Sequence, residues 1–165
     1  LAGVPMGTRS GDIDPSAVKF LADKKGFTFE QAINYLNKKC GVNGVSGISS
    51  DFRDLQAAVE AGNYRAKLAV EMFAYNVRKY IGAYAAAMNG LDCIVFTAGV
   101  GENSAFTRGY ICRGLDYLGV EFDEEENKVR VPGIHEISKP GSKVKLLVIP
   151  TNEELMIARE TLALV

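Results

Sequence analysis

The stretch from Leu91 to Leu118 decides the fold, and it reads LDCIVFTAGVGENSAFTRGYICRGLDYL. Its apolar run Cys93–Phe96 predicts a buried strand, and a glycine-containing turn follows at Thr97–Gly101. Residues 102–104 then lead into a predicted helix from Ser104. A strand, a glycine turn and a helix start are how an α/β sheet presents backbone N–H groups to a ligand. The same pattern is typical of an ordinary strand-to-helix junction, so this stretch alone leaves both interpretations open.

The turn also half matches the dinucleotide-binding fingerprint GxGxxG. Gly99 and Gly101 take its first two glycine positions, but Ser104 takes the third. Glu121 follows about 20 residues on, where the fingerprint has an acidic residue. A dehydrogenase domain has this turn after its first strand, whereas only one further apolar strand, Lys145–Ile149, follows here. The dehydrogenase interpretation is therefore disfavoured.

Length and composition favour one soluble globular domain. The chain has 165 residues, of which 47% are hydrophobic and 24% charged. Its formal net charge of −1 gives no bulk attraction for nucleic acid or for an anionic membrane. We see no signal peptide, and no apolar run reaches the roughly 20 residues that a membrane span needs. These features predict a cytoplasmic protein without a nucleic-acid or membrane partner.

The cysteines and the histidine indicate no metal site. Cys40, Cys93 and Cys112 are odd in number and form no CxxC pair. Two of them lie in apolar segments, which predicts reduced, buried thiols of a cytosolic protein. His135 is the only histidine and lies in a polar stretch, so we expect a surface residue.

Two helices are predicted before residue 44. Asp14-Pro15 starts the first, which should run to about Lys25 and stop at Gly26. Thr28 and Gln31 form a capping box for the second, which Gly41 should end. Its predicted apolar face comprises Phe29, Ile33, Leu36 and Cys40.

A loop rich in hydroxyl groups and glycine is predicted at residues 44–54. Its serines and Asp51 are typical of a helix N-cap. Alternatively, Phe52 and Arg53 form an aromatic–arginine pair that is presented to a base and a phosphate. Composition alone favours the cap.

The second half alternates helices and strands. A long helix from about Asn63 to Met88 carries a predicted core stripe of Val70, Phe73, Val77, Tyr80 or Ile81, and Tyr84, with a subunit interface as the alternative. After the strand and glycine turn, the polar stretch 121–143 reads as a solvated excursion to which we assign no chemistry. Thr151 and Glu154 then predict a capping box for the last helix. This order indicates parallel strands with helical crossovers.

Four segments, taken together, carry a resemblance to a known family. They are MGTRSGDIDP (6–15), GVSGISSDFRDL (44–55), FTAGVGENS (96–104) and IPTNEELMIARET (149–161). In this order they resemble the C-terminal part of the acetate kinase family, within the actin/hexokinase/Hsp70-type sugar kinase superfamily. The resemblance implies an α/β fold: the C-terminal portion of an actin-like ATPase (ribonuclease H-like) domain, with a mixed sheet and helical crossovers. Residues 1–165 would then form a single partial domain, about the last two-fifths of a family member, without its N-terminal domain.

The resemblance also implies roles for individual residues. Arg9 resembles the catalytic arginine that stabilises the phosphoryl group in flight. Glu153 resembles a glutamate associated with magnesium. The nucleotide-binding positions implied by the resemblance are Asp51, Phe52, Arg53, Gly99, Val100, Gly101, Glu102 and Asn103. The structural alternatives are an Arg9 paired with Asp12 or Asp14, and a Glu153 that only favours the first turn of its helix.

The implied function is acetate kinase activity, a reversible, Mg²⁺-dependent phosphoryl transfer from ATP to acetate that gives acetyl phosphate and ADP. The implied cofactors are ATP or ADP and Mg²⁺, and the implied partners are a short-chain carboxylate and a second copy in a homodimer. Propionate or butyrate kinase is the alternative within the family. A non-catalytic nucleotide-binding or dimerisation module is the alternative from another class, and we expect the isolated chain to be inactive.

Overall fold

The structure is a computed structural model that describes residues 2–164. The chain forms two compact units. The first comprises the residues up to Gly90 together with Gly109–Gly114, and the second comprises Leu91–Arg108 and the residues from Leu115 on. The single partial domain stays a prediction. The helices are α1 (Pro15–Lys25), α2 (Phe29–Lys38), α3 (Gly41–Ser46), α4 (Phe52–Glu60), α5 (Tyr64–Ala87), α6 (Ala98–Asn103), α7 (Ala105–Cys112) and α8 (Glu153–Leu162), and the strands are β1 (Cys93–Phe96), β2 (His135–Glu136) and β3 (Lys145–Val148).

The first two helix starts are confirmed. The carboxylate of Asp14 accepts the backbone N–H of Ser16 at 2.7 Å, and Thr28 and Gln31 form the predicted capping box. The predicted end of α2 is wrong, because α2 stops at Lys38 and Gly41 opens α3 instead. A left-handed Gly41, with φ of +61°, redirects the chain, and a short helix replaces part of the predicted loop.

The buried face of α5 consists mainly of alanines rather than of large side chains. The predicted stripe of α5 is correct for Val70, but Tyr84 is 60% exposed. Small residues replace it in the core, because they let α5 approach its neighbours α3 and α4 closely. The buried alanines of α5 are Ala66, Ala69, Ala74 and Ala85. The predicted apolar face of α2 is also correct only in part. Leu36 is buried as predicted, but Phe29 is 75% exposed and Ala32 is buried.

The second unit contains a three-stranded mixed sheet in the order β1-β3-β2. β1 pairs with β3 in parallel, from Cys93 opposite Lys145 to Phe96 opposite Val148. β2 pairs with β3 in antiparallel orientation. The predicted parallel pair and mixed sheet are therefore confirmed. Burial alternates along β1, so Cys93 is exposed although it was predicted to be buried.

The excursion between residues 121 and 143 contributes to the core, which its polar sequence did not predict. Isolated bridges join Val120 to Val144 and Phe122 to Ser138. His135 is 8% exposed, and its Nε2 lies 2.6 Å from Oε1 of Glu126. The prediction of a surface histidine is wrong because the polar neighbours of His135 in sequence are not its neighbours in the sheet.

The last helix has a different cap from the predicted one. The side chain of Asn152, rather than that of Thr151, accepts the N–H of Leu155 at 3.0 Å. None of the residues of α8 is buried. In the part of the chain that the structure describes, no helix combines the length and the apolar character that crossing a membrane requires.

Candidate functional site

Arg9 stands in a loop with its side chain exposed to solvent. Among residues 2–164 it has no ion pair, and its proposed structural partners are engaged elsewhere. Asp12 accepts the hydroxyl of Tyr80 and the N–H of Gly3, and these bonds hold the pKa of Asp12 below its ordinary value. Asp14 caps α1. The structure therefore does not show the alternative pairing of Arg9 with Asp12 or Asp14. The charge of Arg9 is available to an anion.

The Arg9 loop, residues 6–11, lies close to Ser50 of the second motif segment. A side-chain carbon built on Gly7 would lie 3.1 Å from the carbonyl oxygen of Ser50. The N–H of Asn43 also donates to the carbonyl of Gly7 at 3.0 Å. The first unit therefore brings together the first two motif segments, 6–15 and 44–55.

Asp51 is the N-cap of α4, which confirms the interpretation that composition favoured. It accepts the N–H of Arg53 at 2.8 Å and the Arg53 guanidinium at 2.6 Å. The side-chain bond from Arg53, followed by the backbone bond, lowers the pKa of Asp51 to about 2. Asp51 is therefore a carboxylate throughout the neutral range.

Phe52 and Arg53 are not presented together as an exposed pair. Phe52 is 8% exposed, and its ring meets that of Phe73 edge-on at a centroid distance of 4.8 Å. The Arg53 side chain is 90% exposed. The ring of Phe52 is therefore packed inside the first unit, whereas the guanidinium of Arg53 is exposed, and a nucleotide contact of either residue stays a prediction.

The predicted glycine turn after β1 is a short helix, α6. Its left-handed residue is Ala98, with φ of +56°, and not a glycine. Gly101 lies against β1, because a side-chain carbon there would come within 3.1 Å of the carbonyl carbon of Phe96. A carbon built on Gly99 meets nothing within 4 Å. Gly101 thus serves packing, whereas Gly99 leaves open space on the exposed side of α6.

A buried arginine, Arg108, holds the end of α6. It was not among the predicted site residues. Arg108 is 4% exposed and donates to the carbonyl oxygens of Gly101 and Glu102, both at 2.8 Å. It also donates to the side-chain oxygen of Asn127 at 2.7 Å and to its backbone oxygen at 2.8 Å. Arg108 therefore ties α6 to the excursion. The sequence contained a signal for this role, because Arg108 is a cation among the apolar positions of the helix that follows Ser104.

Glu102 joins the third and fourth motif segments. Its Oε1 accepts both the N–H and the hydroxyl of Thr151 at 2.8 Å. These bonds, the backbone one first, lower the pKa of Glu102. Asn103 turns its amide back to the carbonyl oxygen of Gly99 at 3.0 Å. Both side chains thus stabilise α6 from within the second unit.

A cavity of about 210 Å³ lies beside α6. Its polar lining includes Glu102, Asn103, Arg108, Arg130 and His135, and its apolar lining includes Val148. Complete ligand sites commonly enclose about 300–1,000 Å³. This cavity therefore suits one portion of a ligand rather than a whole nucleotide.

Glu153 is the first residue of α8 and is exposed. Among the residues that the structure describes, no group of three His, Cys, Asp or Glu side chains is placed to hold a metal ion. Mg²⁺ bound with a nucleotide needs only one or two carboxylates, since waters and phosphate oxygens complete its shell. A single accessible carboxylate fits that requirement.

Comparisons with known proteins assign this fold to a class and then to a family. Solved structures of short-chain carboxylate kinases share the fold. One is the acetate kinase of Porphyromonas gingivalis, with a TM-score of 0.91 and 48% identity over 98% of this chain and 40% of that one. Another is a propionate kinase of Francisella tularensis, with a TM-score of 0.87 and 40% identity over 96% of this chain and 40% of that one.

The family model for the acetokinase family matches residues 1–159, and the chain belongs to that family. An acetate kinase of Carboxydothermus hydrogenoformans is 60% identical over all 165 residues. The chain spans 41% of the length of that relative. The resemblance carried by the four motifs is confirmed, and so is the fold class, because the neighbours are acetate kinases and the small mixed sheet with helices agrees with part of an actin-like ATPase fold.

Proposed function

We propose that this chain is the nucleotide-binding part of an acetate kinase, which catalyses reversible phosphoryl transfer between ATP and acetate to give acetyl phosphate and ADP. The observation that carries the proposal is Arg9. The chain belongs to the acetokinase family, and its Arg9 is exposed on a loop with no ion-pair partner among the described residues.

The residue types suit the chemistry of this transfer. ATP and a carboxylate are both anions, so the barrier is largely electrostatic, and catalysis consists of positioning and charge stabilisation. The planar fork of Arg9 matches the oxygens of a transferring phosphoryl group. Glu153 would hold Mg²⁺ directly or through water, and the bound ion would neutralise phosphate charge.

The nucleotide would bind against α6. The open space over Gly99 leaves room for close approach, and the positive end of the helix dipole favours polar or anionic atoms. Val100, Glu102 and Asn103 complete this surface. Within the first unit, and independently of α6, the family resemblance supports a nucleotide contact of Asp51, Phe52 and Arg53, in which the exposed Arg53 would exchange its bond to Asp51 for one to a phosphate.

Two alternative functions are each favoured by a specific observation. The likeness to a propionate kinase supports a longer acyl substrate. The chain spans only part of its relatives' length, which keeps a non-catalytic nucleotide-binding or dimerisation module as the candidate from another class. We further propose a cytoplasmic location and a homodimer, in line with the family resemblance.

A chimera tests the proposed function. The chain would replace the matching 165 residues of the Carboxydothermus hydrogenoformans acetate kinase. We expect acetyl phosphate formation with acetate, ATP and Mg²⁺, lower rates with propionate and butyrate, and no turnover by the isolated chain. A folded chimera without activity would contradict the proposal. Robust turnover by the isolated chain would contradict the expectation that the remaining part is required.

Substitution of Gly99 by valine tests the nucleotide surface. A side-chain carbon at Gly99 meets no protein atom within 4 Å, so a branched side chain would extend into the space over α6, and ATP affinity in the chimera should fall by roughly tenfold or more, the equivalent of about 1.4 kcal/mol. Titration calorimetry with a non-hydrolysable ATP analogue would measure this. Gly109→Val is the matched control, because Gly109 also lies in a helix with nothing within 4 Å. Equal affinities for the two variants would remove Gly99 from the site.

A further inference from the structure

The Arg9 loop is fixed by its backbone rather than by its arginine side chain. Three consecutive carbonyl groups, those of Met6, Gly7 and Thr8, accept N–H groups from residues 40–43 at 2.9–3.0 Å. Within the loop, the N–H of Met6 donates to the carbonyl of Arg9 at 3.0 Å. The segment of residues 40–43 at the start of α3 therefore determines where the loop lies.

Gly41, the first residue of α3, lies within this segment. A side-chain carbon at Gly41 would lie 2.1 Å from the carbonyl oxygen of Met6, 2.8 Å from that of Arg9 and 3.0 Å from that of Gly7. All three are backbone atoms, so no flexible side chain can move aside. Any residue other than glycine must push the loop away from α3.

We propose that Gly41 is a positioning residue for Arg9, which it fixes by letting the start of α3 close on the backbone of the Arg9 loop. The inference rests on the proposed function, because it gives the loop the task of placing a guanidinium. The side chain of Arg9 has no ion-pair partner among residues 2–164 to restore its position, so a shift of the loop moves the charge with it. Displacements near 1 Å cost on the order of 10²-fold in rate.

Gly47 at the other end of α3 supplies a matched control. It is also left-handed, with φ of +68°, but a side-chain carbon there meets nothing within 4 Å. Gly41→Ala and Gly47→Ala therefore impose the same backbone penalty, and only the first disturbs the Arg9 loop. The difference between the two variants isolates the effect of the contact.

The experiment is a double-mutant cycle in the full-length chimera. We expect Gly41→Ala to lower kcat with acetate by on the order of 10- to 100-fold with little change in KM for ATP, and Gly47→Ala to leave kcat within about threefold. In an Arg9→Ala background, Gly41→Ala should have little further effect on kcat, because the group that it displaces is gone. Equal kcat values for the two glycine variants, or additive losses with Arg9→Ala, would overturn the inference.

The controls separate this inference from the proposed function. If Arg9→Ala alone keeps full activity, the proposed role of Arg9 fails and the inference falls with it. If Arg9→Ala is inactive and Gly41→Ala behaves like Gly47→Ala, only the inference fails. A Gly41→Ala chimera that fails to fold, while Gly47→Ala folds, would also overturn the inference, because Gly41 would then be required for the fold and not for the position of Arg9.

Discussion

Replacement of Arg9 by alanine should lower kcat of the full-length chimera by on the order of 10²–10⁵, because groups that stabilise a transferring phosphoryl group act mainly in the transition state. KM for ATP should change little, since α6 and not the Arg9 loop is the proposed nucleotide surface. Thermal stability should also change little, because the exposed side chain of Arg9 has no ion-pair partner within residues 2–164. Steady-state kinetics and a melting curve on one preparation measure all three quantities.

Two further variants control the Arg9 result. Arg9→Lys should restore activity poorly, because a point charge lacks the planar fork that binds two oxygens. Lys38→Ala removes one positive charge from an exposed position at the end of α2, and it should leave kcat unchanged. An Arg9→Ala enzyme that is less stable but fully active would show that the arginine is structural.

Replacement of Arg108 by methionine should destabilise the chain by about 3 kcal/mol, because buried carbonyl groups that lose their donor keep their desolvation cost. The carbonyl oxygens of Gly101 and Glu102 would lose the guanidinium, and Asn127 would lose two of its bonds. The end of α6 would then be less well ordered, so affinity for an ATP analogue should fall as well. Urea unfolding followed by circular dichroism and a nucleotide titration measure the two effects.

Arg130→Met is the matched control for Arg108. It removes the same chemical group from the excursion, but Arg130 is exposed and donates one long bond of 3.3 Å to the carbonyl of Asn103. Its effect on the free energy of unfolding should stay within about 0.5 kcal/mol. Comparable losses for both variants would mean that net charge, and not the buried contact, explains the result.

Local signals in the sequence predicted the first two helix starts and the parallel pairing of the two apolar strands. The cap at Asp14, the capping box at Thr28 and the parallel pairing of β1 with β3 depend on near neighbours or on alternating burial, and all are confirmed. The family motifs identified the acetokinase family because several short segments in a fixed order are specific.

The errors have a common physical cause. Phe52, His135 and the alanines of α5 are buried by residues that are distant in sequence, which no local pattern reports. The turn at residues 97–101 was misjudged because two glycines suggested a loop, whereas the left-handed residue is Ala98 and residues 98–101 belong to α6. The role of Arg108 depends on Asn127, 19 positions later, so periodicity alone had no means to predict it.

The separation in sequence between paired residues also bears on how the second unit folds. Cys93 of β1 pairs with Lys145 of β3, 52 positions later, whereas Arg108 reaches Asn127 across 19. Closing the longer loop costs about 0.9 kcal/mol more in chain entropy. Once Arg108 has bound Asn127, part of that loop is already closed, and the search by which β1 finds β3 becomes shorter. We therefore expect Arg108→Met to slow refolding as well as to destabilise the folded state, which stopped-flow refolding would measure.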